Sequence, residues 1–234
     1  MDKISALLLS VALIVSSIVL GFSADKVMKG FKAGERSVIV KGLSEKEVQA
    51  DVMILPIKFT RASNDLNVLY KDLENDAQRV FAFLEQIGLN KKDITFTPPI
   101  VNDKLGDLYG SGQNVTYRYA GVGSVLLYTK DVVLGRKALE EIAKLGMDGL
   151  VIKIDDYDVE YVYTELNVIK PQMIEEATLN AREAAMKFAK DSESQLGKIK
   201  KATQGQFSIS NRDKNTPYIK NVRVVSTVEY YLED

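Results

Sequence analysis

Apolar and polar residues alternate along several parts of the chain with a period of two, which is typical of strands with one face against a core. Residues 37–41 and 52–60 are the first two such segments, and Gly42 is expected to end the first. Pro56 cannot donate a backbone hydrogen bond, so the second strand should be an edge or carry a bulge there. Later strands are predicted at residues 94–101, 115–128 and 159–164, and a terminal hairpin at 198–209 and 222–232.

Three segments instead repeat apolar residues every three or four positions, as an amphipathic helix does. Ser63, Asn64 and Asp65 are the candidate N-caps of the first helix, and Gly88 should end it. The second should begin after Asp131 and end at Gly146.

The third helix is predicted from Pro171 to residue 196, with Gly197 after it. Its inward stripe should consist of Ile174, Ala177, Ala181, Ala184, Phe188 and Ala189. The resulting order, ββαββαβαββ, lacks regular βαβ crossovers. It therefore predicts an α+β fold in which three helices pack on largely antiparallel sheets.

Residues 4–24 form an uncharged apolar run. As a helix the run would be about 31 Å long, close to the thickness of the hydrocarbon core of a bilayer. It predicts an N-terminal transmembrane or signal helix in residues 1–24, either an uncleaved signal anchor or, because small residues precede Ala24, a cleavable signal peptide. Residues 25–36 would be a juxtamembrane linker, and residues 37–234 one α+β domain.

The distribution of basic residues around this helix argues against export of the domain. Lys3 precedes the apolar run, whereas four basic residues follow it in the linker, and the positive-inside rule would keep that side in the cytoplasm. Long domains are often exported regardless of such charges, so we expect the domain to lie in the periplasm, anchored in the bacterial inner membrane. Soluble periplasmic protein after cleavage is the alternative.

The residue types that are missing narrow the chemistry. The 31 basic and 32 acidic residues give a formal net charge of −1, so nucleic acid is not expected as a partner. Neither cysteine nor histidine is present, which excludes Cys-His and Ser-His-Asp arrangements and imidazole-ligated zinc. We expect no enzymatic activity, and no catalytic, cofactor or metal site.

Acidic clusters offer two alternatives to that expectation. Asp155, Asp156 and Asp158 could supply oxygen ligands to calcium, although a solvated turn explains them as well. Glu160 and Glu165 could form a carboxylate pair for acid–base chemistry at a sugar, although such pairs are common in a chain this acidic.

Aromatic residues suggest surfaces rather than chemistry. Tyr117, Arg118 and Tyr119 resemble a strand on which RNA bases stack, but the chain lacks the basic surface that such a strand requires. Tyrosine buries area while its hydroxyl tolerates water. Four tyrosines are therefore candidate contacts between subunits, with packing inside one subunit as the alternative: Tyr161, Tyr163, Tyr230 and Tyr231.

Several segments together resemble one protein family. VIVKGLSEKEVQADVMILPIKF at residues 38–59 is similar to the opening of SIMPL-domain (DUF541) proteins, although Ala50 stands where the family often has proline. YTKDVVLGRKALEEIAKLG at 128–146, EEATLNAREAAMKFAKDSESQLGKI at 175–199 and VRVVSTVEYYL at 222–232 resemble the later parts of the family in the same order.

The resemblance implies an exported or envelope-anchored bacterial protein with a two-part α+β fold, a tendency to form homo-oligomers, and involvement in envelope or oxidative stress. It carries over no catalytic residue. We therefore expect a non-enzymatic envelope protein that self-assembles and has a structural or stress-protective role. The alternative is an envelope module that binds a small-molecule ligand of unknown identity, with the Gly-rich loop at residues 105–114 as a lid.

Overall fold

The computed structural model describes Ser16, residues 36–106 and residues 115–233. Except for Ser16, the predicted signal helix lies outside these residues, as does most of the predicted lid. Among the helices that are described, none has the length and apolar character needed to cross a membrane. The chain divides into two compact units. Unit one comprises Met1–Lys46, Asn167–Ser208 and Val222–Asp234, and unit two comprises Glu47–Leu166 and Ile209–Asn221.

The described residues form strands and helices in an α+β order, as the sequence predicted. The strands are β1 Ser37–Gln49, β2 Val52–Ser63, β3 Ile94–Asp103, β4 Tyr119–Thr129, β5 Ile152–Lys153, β6 Glu160–Val162, β7 Gln195–Gln204, β8 Ser208–Asn211 and β9 Ile219–Glu233. The helices are α1 Leu66–Ile87, α2 Val132–Glu141, α3 Ala143–Met147 and α4 Leu166–Asp191, with short 3₁₀ turns at Lys91–Asp93 and Asp156–Asp158.

In unit two, β2 is the centre of an antiparallel sheet with the order β3-β4-β2-β5. β6 pairs with β2 at Val52 to Ile54, and β5 pairs with it at Lys58 and Phe59. Pro56 falls between these two stretches, so β2 has a local free edge at the residue that lacks an N–H. The predicted edge at Pro56 is therefore confirmed, although β2 has a partner strand on this side both before and after it.

Helix α1 begins and ends where the sequence predicted. The Asp65 carboxylate accepts hydrogen bonds from the backbone N–H groups of Asn67 and Val68, which caps the N-terminus. Gly88 ends the helix in the left-handed conformation at φ 108°. The inward face of α1 packs on β2 and β4 in one core that includes Phe59, Leu69, Leu73, Val80, Leu84, Val125 and Leu127.

The predicted second helix is broken in two. α2 is capped by Asp131 as expected, but it ends at Glu141, and α3 begins after Ile142. The predicted strand at 159–164 is also shorter, because only Glu160–Val162 pairs with β2.

In unit one, the sheet has the order β1-β9-β7. β8 also pairs with β9, and from Ile209 onward it belongs to unit two. Both β7 and β8 therefore lie beside β9, which confirms the terminal hairpin in outline. Helix α4 packs on this sheet through buried residues at three- and four-residue spacing: Met173, Ala177, Ala181, Ala185 and Ala189.

In unit one, the predictions about Gly42 and about the bounds and inward stripe of the third predicted helix were wrong. Gly42 does not end β1, because it lies within the strand at the closest approach to α4, where a Cβ would be 1.8 Å from the carbonyl oxygen of Ala177. Helix α4 begins before Pro171, and it ends at Asp191. Its inward stripe contains Ala185, whereas the predicted Phe188 is 58% exposed.

Candidate functional site

A cleft of about 930 Å³ opens in the surface of unit two, and all of its lining residues belong to that unit. Its size is within the range of small-molecule sites. The lining combines aromatic and apolar side chains with cationic, anionic and amide groups. The residues are Arg136, Leu139, Glu140, Tyr157, Val159, Glu160, Tyr161, Asn211, Lys214, Asn215, Pro217, Tyr218 and Lys220.

One wall of the cleft is a stack of three side chains. The guanidinium carbon of Arg136 lies 3.7 Å from the centre of the Tyr218 ring, a cation–π contact. The Tyr161 ring meets Tyr218 edge to face, with centroids 6.0 Å apart. Partial burial raises the pKa of Tyr161 above its ordinary value of 10.0. The backbone holds Tyr218 in place, because its carbonyl accepts a 2.8 Å hydrogen bond from the N–H of Ala50.

Arg136 keeps donor capacity although it is held in position. Its nearest carboxylate is that of Glu140, one turn along α2, at 3.7 Å. At this distance the two side chains form an ion pair but no hydrogen bond. The guanidinium has five N–H donors, and stacking uses its face rather than its edge. Its N–H edge therefore makes no hydrogen bond to another described residue.

Lys220 is the buried cation of the cleft. It is 8% exposed, and its ammonium donates a 2.5 Å hydrogen bond to the amide oxygen of Asn211. Burial lowers the pKa of Lys220 below its ordinary value of 10.5. Among the described residues, no carboxylate forms an ion pair with it. The amide takes one of its three N–H donors, so Lys220 holds a positive charge that no described residue neutralises.

A turn between β8 and β9 supplies the remaining rim. The Asp213 carboxylate accepts 2.8 Å hydrogen bonds from the backbone N–H groups of Asn215 and Thr216, and a 3.0 Å hydrogen bond from Nε of Arg212. The pKa of Asp213 is lowered mainly by the hydrogen bond that its carboxylate accepts from the hydroxyl of Thr216. The hydrogen bond from Arg212 lowers it further. These bonds fix the turn that carries Lys214 and Asn215, so the rim is ordered by an ionised aspartate.

The structure separates the four tyrosines predicted as subunit contacts. Tyr161 lines the cleft, and the hydroxyl of Tyr163 donates to the carbonyl of Glu165 at 3.2 Å. Tyr230 is 4% exposed and belongs to the core of unit one, which favours the alternative of packing within one subunit. Tyr231 is half-buried beneath the ammonium of Lys200. Their role between subunits stays a prediction.

The sheet of unit one has two free edges among the described strands, at β1 and at β7. β1 carries Ile39, which is 65% exposed, and Leu43. β7 is exposed along almost its whole length and carries Ile199. An unpaired row of backbone N–H and C=O groups can pair with a strand of another chain.

The acidic residues singled out in the sequence form ion pairs or lie apart. Asp158 pairs with Lys58 at 2.5 Å, and this hydrogen bond raises the pKa of Lys58. Asp155 lies 3.5 Å from the ammonium of Lys153. No cluster of three or more acidic side chains arranged to hold a metal occurs in the described part of the chain. Glu160 lines the cleft, but the lining does not include Glu165.

The residues that resembled an RNA-stacking strand form a fixed ion pair. Arg118 donates hydrogen bonds to both carboxylate oxygens of Asp103, which lowers the pKa of Asp103, and its guanidinium lies over the Tyr119 ring. Tyr117 and Asn102, on either side of the undescribed loop residues, line a groove of about 550 Å³ with the exposed side chains of Ile100 and Val151.

Sequence reasoning missed Arg136, Tyr218 and Lys220. Lys220 stands at the start of a strand, where a lysine usually faces solvent, and the three come from separate elements. One signal was present. Lys220 precedes the alternating series Val222 and Val224 on the same face of β9, so the alternation of β9 predicts that it points inward.

Comparison with known proteins identifies the family. No curated protein matches the chain. The sequence profile of the SIMPL family, described as a protein of unknown function (DUF541), matches residues 38–229. This match spans most of the chain, including the cleft and both sheets. The chain belongs to the SIMPL (DUF541) family.

Proposed function

We propose that this protein is a non-enzymatic component of the bacterial envelope that self-assembles through the free edges of the unit-one sheet and has a structural or stress-protective role. The observation that carries the proposal is the pair of unpaired edges on β1 and β7, which flank the same sheet. Pairing of β1 from one copy with β7 from the next would extend the sheet, and repetition would give a ring or a filament.

Charge and exposure support this pairing. β7 carries Lys198, Lys200 and Lys201 and no acidic residue, whereas β1 has no net charge, with two lysines and the two glutamates Glu45 and Glu47. Two β7 edges would therefore repel each other, whereas a β7 edge would meet no net charge on β1, whose glutamates already pair with Arg223 and Arg212. The exposed Ile39 gives the edge an apolar residue to bury.

Native mass measurement of the full chain in detergent tests the proposal at tens of micromolar protein. We expect multiples of the 26.0 kDa chain. Ile39→Lys should shift the population to the single chain, because a charge at an edge strand opposes pairing. Val133→Lys, at an exposed position on α2, is the matched control and should leave the multiples intact. A wild-type chain that stays at 26.0 kDa would refute self-assembly under these conditions.

A ligand-binding module is the second candidate, supported by the groove beside the loop at residues 105–114. Ile100 and Val151 supply apolar surface to it. We expect a fluorescent apolar dye to bind there and Ile100→Glu to weaken the binding at least about tenfold, since a buried charge opposes an apolar ligand. Val133→Glu should not. Equal binding by both variants would argue against this groove as a site.

A further inference from the structure

We propose that the cleft of unit two binds a small organic carboxylate that carries a flat ring, with Lys220 and Arg136 holding the carboxylate and the tyrosines contacting the ring. This site is independent of the edges through which the protein is proposed to assemble. The proposal rests on the cavity, on two cations with unused donors, and on an aromatic wall.

Lys220 and Arg136 are both positioned to bind an anion. Lys220 is buried against Asn211 without a carboxylate partner among the described residues, and a buried charge is costly unless it is paired. An arriving carboxylate would supply that pair. Arg136 is fixed over Tyr218, so its N–H edge can bind an anion with little further loss of side-chain freedom.

The charge of the cleft favours one negative charge over two. Its lining holds three cations, Arg136, Lys214 and Lys220, and two carboxylates, Glu140 and Glu160. A carboxylate would balance the remaining positive charge. A phosphate monoester carries nearly two negative charges at neutral pH and would be repelled by the two glutamates.

The shape and the apolar lining favour a ring. Tyr157, Tyr161 and Tyr218 present aromatic surface, and Leu139, Val159 and Pro217 add apolar contacts. Tyr157 is largely exposed, so a ligand ring would bury apolar surface that now faces water. The volume of about 930 Å³ leaves room for a ligand larger than a single ring.

Three probes with the same ring system separate these contributions: 2-naphthoate, the uncharged 2-naphthylmethanol and the doubly charged 2-naphthyl phosphate. Binding to the full chain in lipid nanodiscs is measured by titration calorimetry, with empty nanodiscs subtracted. We expect 2-naphthoate to bind with a Kd below about 1 mM. The alcohol should bind about tenfold more weakly or worse, and the phosphate no more tightly than the carboxylate.

Lys220→Met should weaken 2-naphthoate binding by about ten- to a hundredfold and abolish the preference over the alcohol, because it removes a charge-assisted hydrogen bond and keeps the volume. Lys92→Met, at an exposed lysine of the same unit, should bind as the wild type does. Arg136→Gln, at a partly exposed position, is a second variant that should also weaken 2-naphthoate binding. It tests the proposal even if Lys220→Met fails to fold.

Each other outcome overturns the proposal. Absence of 2-naphthoate binding at millimolar concentration would remove the site. Equal binding of acid and alcohol, or unchanged binding by both variants, would show that the two cations do not hold the ligand. Binding of the phosphate about tenfold more tightly than the carboxylate would exclude a monoanion as the preferred class.

Discussion

The ammonium of Lys220 is a charge whose burial should be visible in the stability of the protein. Because its pKa in the folded chain is below the ordinary value of 10.5, the folded chain binds fewer protons than the unfolded chain between these two values. Stability therefore rises with pH across that interval and is lowest, as far as this group is concerned, below the folded pKa. Lys220 shares the cleft with the following charged and titratable groups: Arg136, Glu140, Tyr157, Glu160, Tyr161, Lys214 and Tyr218.

Comparison of wild type with Lys220→Met isolates this effect. All other groups of the cleft are the same in both proteins, so their contribution largely cancels in the difference. The variant should be at least as stable as the wild type at pH 7, and the wild type should gain on it as the pH rises toward 10.5. Urea unfolding at pH 7 and pH 10 measures the two free energies. A difference that does not change with pH would contradict a charged, buried Lys220.

Asp76, unlike Lys220, is a buried charge that supports the fold. It is 3% exposed and accepts hydrogen bonds from Nε and Nη2 of Arg61 at 2.5 and 2.8 Å, with Arg79 at 3.4 Å. Asp76→Asn leaves these arginines without their carboxylate. The free energy of unfolding should fall by about 2–3 kcal/mol, below the cost for a fully buried pair because Arg61 is 33% exposed.

The matched control for Asp76 lies on the same helix. Glu74 is exposed, so Glu74→Gln should change the free energy of unfolding by less than about 0.5 kcal/mol in the same urea titration. An equally small loss for Asp76→Asn would mean that water replaces the carboxylate without cost.

At the scale of elements, the packing of α4 on β1 depends on a missing side chain. A Cβ on Gly42 would lie 1.8 Å from the Ala177 carbonyl oxygen and 2.4 Å from the Ala181 nitrogen, both backbone atoms that cannot rotate away. Gly42→Ala should therefore cost about 3 kcal/mol or more, or move the helix from the sheet. Thermal unfolding followed by circular dichroism measures the loss.

Gly146 provides the opposite case within α3. No atom lies within 4 Å of the Cβ that an alanine would add there. Gly146→Ala should be neutral or raise stability by about 0.5–1 kcal/mol, because alanine loses less conformational freedom in a helix. Similar effects of the two substitutions would contradict the close approach at Gly42.

These elements also show what a sequence can predict. Asp65 and Gly88 act within a few residues of their own position, so the ends of α1 were predictable from local chemistry. Gly42 has the same local signature as a stop, but its role is set by Ala177, more than a hundred residues away. The cleft was missed for the same reason, because Arg136, Tyr218 and Lys220 meet only in the folded unit.

At the scale of the whole molecule, the proposed assembly and the proposed anchor have linked consequences. Each copy would carry one apolar segment at residues 4–24, so a ring formed through β1 and β7 would gather several anchors in one patch of membrane. Gathered anchors raise the effective concentration of the domains. Pairing that is weak for the isolated domain would then be favoured on the membrane surface, which is consistent with an envelope role.

The final prediction concerns whether the apolar segment stays attached as a membrane anchor. An uncleaved helix should leave the intact 26.0 kDa chain in the membrane fraction, because residues 4–24 are long enough to span the bilayer. If the domain lies in the periplasm, trypsin added to spheroplasts should release the domain from the membrane by cutting at Lys26, Lys29 or Lys32. A cytoplasmic protein should survive as the control. Mass analysis that found a mature chain beginning near Asp25 would replace the anchor by a signal peptide, and full protection from trypsin would place the domain in the cytoplasm.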